Sequence, residues 1–314
     1  MGPSPSKPDR LELLPVGVKS IGLTNLTNSC PFSSLVQVLY HLDLFRASIL
    51  SLNQESEQNL ASAFRNLFAE ISAFPRDFGV IEPHHFISYI RSSNDQFSNA
   101  QEQHDCHEFL SFVLSQIPSS ISSLFQGTAC YTTSCLSCDF SSSSTQSFYE
   151  LPLELSHRPY SLLHSFNNLL RPETLEDFVC DSCGGVSSSQ RIMKVKKFPY
   201  ILIFHLKRFK YDQNSKNLFK ISTNMTISQT ISLPCHGDVA VARFRLKAII
   251  SHVGNSFFSG HYFAIVGISE NLWVIFDDDR VKIIFDYELA NYFGSLQDEG
   301  ASAYIVFYEK EEEQ

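Results

Sequence analysis

Long apolar runs are missing from this 314-residue chain. No stretch approaches the ~18–20 apolar residues that a membrane-spanning helix needs, so no membrane partner is expected. Positive charge is scarce: 24 Lys and Arg face 33 Asp and Glu, a formal net charge of −9. General nucleic-acid binding rests on neutralising phosphates with such residues, so no nucleic-acid partner is expected either. An acidic surface suits a partner with basic elements. Internal repeats are absent. The eight cysteines are spread too thinly for a small disulfide scaffold. No cleavable export signal is visible at the N-terminus. "MGPSPS" matches a loose acylation pattern, but Pro3 and Pro5 read more simply as part of a disordered leader over 1–18. The compartment expected from these absences is cytoplasm or nucleus.

What is present is apolar content of 43%, enough for a sizeable core in one large or two ordinary domains. The first third reads helical. "EQNLASAFRNLFAEIS" puts Leu60, Phe64, Leu67, Phe68 and Ile71 on one stripe, and "HDCHEFLSFVLSQI" does the same with Cys106, Phe109, Leu110, Val113 and Ile117. "EPHHFISYIR" begins with Pro83, where a helix tolerates proline. From about residue 148 strand patterns take over, in "FYELPLEL", "YILIFHLKRF", "RLKAIISHV", "HYFAIVGI", "LWVIF" and "AYIVFY". One helical stretch interrupts them at roughly 160–170. Helices first and strands later predict an α+β fold with helices packed on an antiparallel sheet.

Two C-x-x-C pairs, Cys135/Cys138 and Cys180/Cys183, are separated by the 41 residues 139–179. Each pair forms a knuckle, and four thiolates make a closed tetrahedral zinc site with no position for chemistry. The long gap implies an excursion of strand and helix that returns to the metal, so the expected role is structural. Four reduced cysteines without metal are the alternative. Cys130 is a spare near the first pair; Cys106 and Cys235 read as bystander thiols.

In "GLTNLTNSCPFSSLVQVLYHLDLFR" the thiol of Cys30 precedes Pro31, which suits the first position of a helix and disfavours helical backbone in the residue before it. Cys30 is therefore expected at the cap, with Leu35, Leu39 and Leu42 on the helix's buried face. Unpaired N–H groups and the dipole at a helix start favour a thiolate. "FFSGHYFAIVGISENLWVIFDDDRV" reads as a β-hairpin. A loop of Ser269, Glu270 and Asn271 sets Ile268 opposite Leu272 and makes His261 and Asp277 diagonal neighbours on one face. Asp278 then points to the other face; a shift of one residue would exchange the two. Gly260 permits a close approach beside the histidine. Nucleophile, base and orienter in Cys30, His261 and Asp277 suit acyl transfer through a thioester. The Asn25 amide lies five residues before the thiol, placed to donate to an oxyanion.

Together these stretches resemble the ubiquitin-specific protease family. "GLTNLTNSCPFSS" is similar to its cysteine box, "EQHDCHEF" to its glutamine-aspartate box, and "SGHYFAIV" with "WVIFDDDRV" to its histidine box. "FPYILIFHLKRFKY" resembles the strand before its palm. "GVIEPHHFISYIRSSNDQF" and "WVIFDDDRVKII" followed by "YFG" further resemble the subgroup activated by WD40-repeat β-propeller partners.

The resemblance implies a papain-like right hand within residues 19–310. The helical thumb covers about 19–125, and zinc-tipped fingers about 126–200 with part of 201–245. A β palm covers about 148–160 and 200–310, and an acidic tail 311–314. It implies thiol-dependent cleavage of the isopeptide bond after ubiquitin's C-terminal glycine. Cys30 is then nucleophile, His261 base, Asp277 orienter, Asn25 oxyanion donor and the four paired cysteines Zn2+ ligands. Asp105 is implied to help hold ubiquitin's basic tail, with Glu108 beside it on one helix face. Thr27, Ser29, Pro31 and Ser33 depart from the family's cysteine box, and a side chain at Thr27 opposes positive φ. The alternative within the fold is a catalytically weak ubiquitin-binding scaffold. A free-standing zinc-binding interaction module would leave the ordered Cys, His and Asp boxes unexplained.

Overall fold

The computed structural model describes residues 10–53, 59–138, 140–155, 160–213, 216–235, 241–256, 259–294 and 300–311. Five helices fill the first third: α1 (Cys30–His41), α2 (Asp43–Leu50), α3 (Leu60–Ala73), α4 (His84–Ser93) and α5 (Cys106–Gln116). The stripe on α3 is buried at all five expected positions, each contributing about 1.5–3 kcal/mol by leaving water. Asn59 caps that helix, its side chain accepting from Ser62 N at 2.9 Å. The expected stripe on α5 is buried too, Ile117 lying just past the helix end.

The α1 helix differs from its expectation. Leu35, Leu39 and Leu42 were expected on one buried face, yet Leu42 lies just past the helix end and all twelve helix residues are buried because α1 runs through the middle of the molecule. Gln37 is accommodated there by donating to Ile21 O at 2.7 Å. His41 lies between Gln37 O and Lys19 O, and burial lowers its pKa to about 4, so the neutral ring donates to one of the two carbonyls.

Behind α1 lies the large sheet. Its strands run in the order Arg280–Phe285, Leu272–Asp277, His261–Ser269, Val241–Val253, Ser302–Lys310, Ile201–Lys207 and Leu151–Glu154. Thr230–Pro234 adds on to Val241–Val253. Only the outermost pair, Leu151–Glu154 with Ile201–Lys207, is parallel. One face packs on the helices and the other on a second apolar cluster around Phe166, Phe204, Phe244 and Tyr308. A separate antiparallel sheet is ordered Ser141–Phe148, Gly127–Cys135, Val186–Lys197 and Glu173–Val179. The interrupting helix is Leu162–Leu169.

Residues 10–18, expected within a disordered leader, include a short 3-10 helix at Leu11–Leu13; residues 1–9 lie outside the described residues. Arg10 pairs with Glu288 at 2.7 Å, and Leu11 and Leu14 pack on the core, which is what orders this segment. In the expected tail, Glu311 accepts from Arg245 Nε at 3.1 Å, and 312–314 lie outside the described residues. No helix among the described residues is long and apolar enough to cross a membrane.

Candidate active site

The thiol comes from the helix start. Cys30 is the first residue of α1 and Pro31 the second, one position later than expected, with Ser29 at the cap. The second position tolerates proline equally, because its N–H would have no intrahelical partner. Cys30 is 3% exposed.

The ring comes from the sheet. The expected hairpin register is present, pairing Ala264 with Phe276 and Gly267 with Trp273. The turn differs: Ser269 pairs with Leu272 and Ile268 bulges, which leaves the register toward His261 unchanged. His261 donates from Nε2 to Asp277 Oδ1 at 2.5 Å. With Nε2 on Asp277, Nδ1 is the ring nitrogen left for the thiol, and Cys30 is the second influence that raises the ring's pKa. The Asp277 carboxylate and the Cys30 sulfur raise the His261 pKa to about 10 against the effect of burial, so the ring is an imidazolium at neutral pH.

Asp278 departs from its expected position on the far face. It leaves the strand at φ 54°, and its Oδ2 lies 3.9 Å from His261 Nε2. Burial raises its pKa, and Oδ2 accepts from Asn25 Nδ2 at 2.9 Å. Asn25 thus reaches the site with one amide hydrogen already given to Asp278. Its Oδ1 accepts from Ser29 N at 3.0 Å.

Other residues hold these groups, and of them only Gly260 was singled out in the sequence. Gln103 grips the residue before the histidine, donating to Gly260 O at 2.7 Å and accepting from Gly260 N at 2.5 Å. A Cβ at Gly260 would sit 2.1 Å from His252 Nε2, which is why no side chain fits there. Gly22 performs the same service opposite: a Cβ would meet Asp279 O at 2.7 Å, and Leu23 N donates to Asp278 O at 2.8 Å. Lys220 fixes the segment leading to His261 by donating to His252 O and Gly254 O. The signal for these lay in long-range partners, which local patterns do not carry.

Asp105 stands at the N-cap of α5 and Glu108 in its first turn. Asp105 is buried. It caps α5 through His107 N at 2.5 Å and accepts from Tyr304 OH at 2.6 Å. Glu108 is exposed and accepts from Gln96 Nε2. Nearby, His107 bonds Glu150 and stacks on His205 with ring centroids 3.7 Å apart and planes at 14°. Two nearly parallel rings cannot both aim in-plane lone pairs at one ion, so this trio is not a metal centre.

The four paired cysteines converge at the far end of the separate sheet, their sulfurs all within 4.8 Å of one another. Cys138 Sγ and Cys180 Sγ are 3.6 Å apart, close to the edge of a tetrahedron with bonds of about 2.3 Å. Ser137 N donates to Cys135 Sγ, and Gly184 N to Cys180 O, as in knuckle turns. The donor set fits a metal ion that would tie two strand ends together. Cys130, Cys106 and Cys235 stand outside this group.

The sequence matches the family Ubiquitin carboxyl-terminal hydrolase over residues 21–308. Ubiquitin carboxyl-terminal hydrolase 4 of Arabidopsis thaliana is 29% identical, with 98% of this chain and 99% of that protein covered. Ubiquitin carboxyl-terminal hydrolase 12 of Salmo salar is 30% identical over 95% of this chain and 91% of that protein. Among solved structures, the fold is similar to a chain of the SAGA Ubp8/Sgf11/Sus1/Sgf73 DUB module bound to ubiquitin aldehyde. The TM-score is 0.79 at 20% identity, covering 96% of this chain and 72% of that one. A match spanning almost every described element, around a sulfur and a ring brought together from opposite ends of the chain, places it in the ubiquitin carboxyl-terminal hydrolase family as a cysteine-type deubiquitinating hydrolase.

Proposed function

We propose that the chain binds ubiquitin and hydrolyses the isopeptide bond between its C-terminal glycine and a lysine of a target, with Cys30 as nucleophile. The observation that carries this reading is the single ring of His261, bonded to Asp277 through Nε2 and raised in pKa by both Asp277 and Cys30. The Cys30 thiolate attacks the glycine carbonyl carbon, and the carbonyl π electrons move onto oxygen. Asn25, with its remaining amide hydrogen, and backbone N–H groups at the α1 start stabilise that oxyanion. When the C–N bond breaks, His261 gives its Nδ1 proton to the departing lysine amine. The neutral ring then takes a proton from water, which attacks the thioester and releases the sulfur. Asp277 keeps the ring oriented through both halves.

Asp105 supports the channel for the basic tail chiefly by fixing α5 and Tyr304, while Glu108 offers the accessible charge. Zn2+ at the four cysteines is structural; when bound it clamps the ends of the finger strands. By similarity to the propeller-activated subgroup, a WD40-repeat partner raises turnover, in cytoplasm or nucleus.

Cleavage of a ubiquitin C-terminal fluorophore tests the reading. Wild type should turn over and be labelled by a ubiquitin probe with a C-terminal electrophile, while Cys30→Ala should do neither. Labelling of Cys30→Ala at the wild-type rate would refute the mechanism. Equal turnover with and without a candidate propeller would count against that partner.

A further inference from the structure

The turn that leads into Cys30 holds two consecutive non-glycine residues in the left-handed region, Thr27 at φ 56° and Asn28 at φ 54°. For the β-branched Thr27 this backbone is strained and persists only if neighbours enforce it. Asn28 supplies one restraint, donating from Nδ2 to Ala100 O and Gln101 O, both at 3.2 Å. Ser29 supplies another, its Oγ accepting from Leu26 N at 2.8 Å. Neither touches the carbonyls of Leu26 and Thr27. Arg91 does: its Nη2 donates to Leu26 O at 2.6 Å and to Thr27 O at 2.5 Å.

We infer that Arg91 is a positioning residue for the oxyanion site, holding by charge a turn that glycine would adopt without strain. Because each peptide unit is planar and trans, fixing these two carbonyls also fixes the N–H groups of Thr27 and Asn28 on the opposite side. The same turn delivers Ser29 N to Asn25 Oδ1, so the orientation of the Asn25 amide depends on it. Arg91 has a rigid base, since Phe86, Ile87 and Ile90 anchor α4 in the core. Among the described residues it forms no ion pair, and its Nε is buried without a partner. Its hydrogen bonds are thus committed to the turn. The inference rests on the proposed roles of Cys30 and Asn25.

The test compares full-length wild type, R91A, R91K, T27G and R91A/T27G. Two readouts are used: kcat and KM for a ubiquitin C-terminal fluorophore, and hydrogen exchange of the 24–30 segment. In R91A, kcat should fall roughly tenfold with KM moving less than about twofold, less than the loss of an oxyanion donor itself. R91K should be intermediate. T27G removes the strain, so R91A/T27G should regain most of the lost kcat, and exchange that rose in R91A should return toward wild type. Wild-type kcat and exchange in R91A would overturn the inference, as would a double variant no faster than R91A. If R91A fails to fold, R91K against R91K/T27G poses the same question. A wild type without turnover even with a propeller partner added would refute the catalytic reading of Cys30, and the exchange comparison alone would then decide Arg91.

Discussion

His261 sits at the centre of the site with a pKa of about 10 because two anionic or anion-forming groups share its ring. Asp277→Asn removes the stronger of them. Its His261 should titrate closer to the ordinary value near 6.5, and kcat should fall by orders of magnitude while ubiquitin affinity holds. Histidine ring NMR shifts and the pH profile of Cys30 alkylation would record both changes. An unchanged alkylation profile would remove Asp277 from the role of orienter. Much of this was legible beforehand, because strand alternation placed His261 and Asp277 on one face. The position of Asp278 was not, since its left-handed backbone belongs to a turn whose shape alternation cannot give.

Elements respond through their ends. Asp105 caps α5 and receives the buried hydroxyl of Tyr304, so Asp105→Ala loses a cap and strands a donor. Together these should lower stability by roughly 2–4 kcal/mol; Asp105→Asn, which keeps the cap acceptor, should lose less. Denaturant titration separates the two. At the finger tip, two knuckles from distant segments meet through four sulfurs. Chelation, or Cys180→Ser, should raise hydrogen exchange in Gly127–Cys135 and Val186–Lys197 while α1, buried on every side, keeps its protection. Equal loosening of α1 would mean that the fingers and the body fold as one unit. The C-x-x-C spacing announced the cluster; the strand order that joins it was invisible in local pattern.

For the whole molecule, the raised His261 pKa couples folding to pH. The folded state holds this proton more tightly than the unfolded chain. Its contribution is therefore full below about pH 6.5, declines between 6.5 and 10, and is lost above. Melting temperatures measured from pH 6 to 10 should fall across that window, and the fall should shrink in Asp277→Asn. Asp278, whose pKa is raised by burial, acts in the same direction at lower pH, through the carboxylate range.

The chain's own order of residues determined its class. Periodic apolar stripes, alternating strands, two spaced cysteine pairs and a thiol before a proline are local features, and local features set helix, strand and knuckle. Only the tertiary structure decided that α1 lies buried throughout, that Gln103 grips Gly260, and that Arg91 holds the turn before Cys30. Each of those depends on a contact between segments far apart in the chain. Such contacts form when the helices close on the sheet, and no short window of sequence contains both partners.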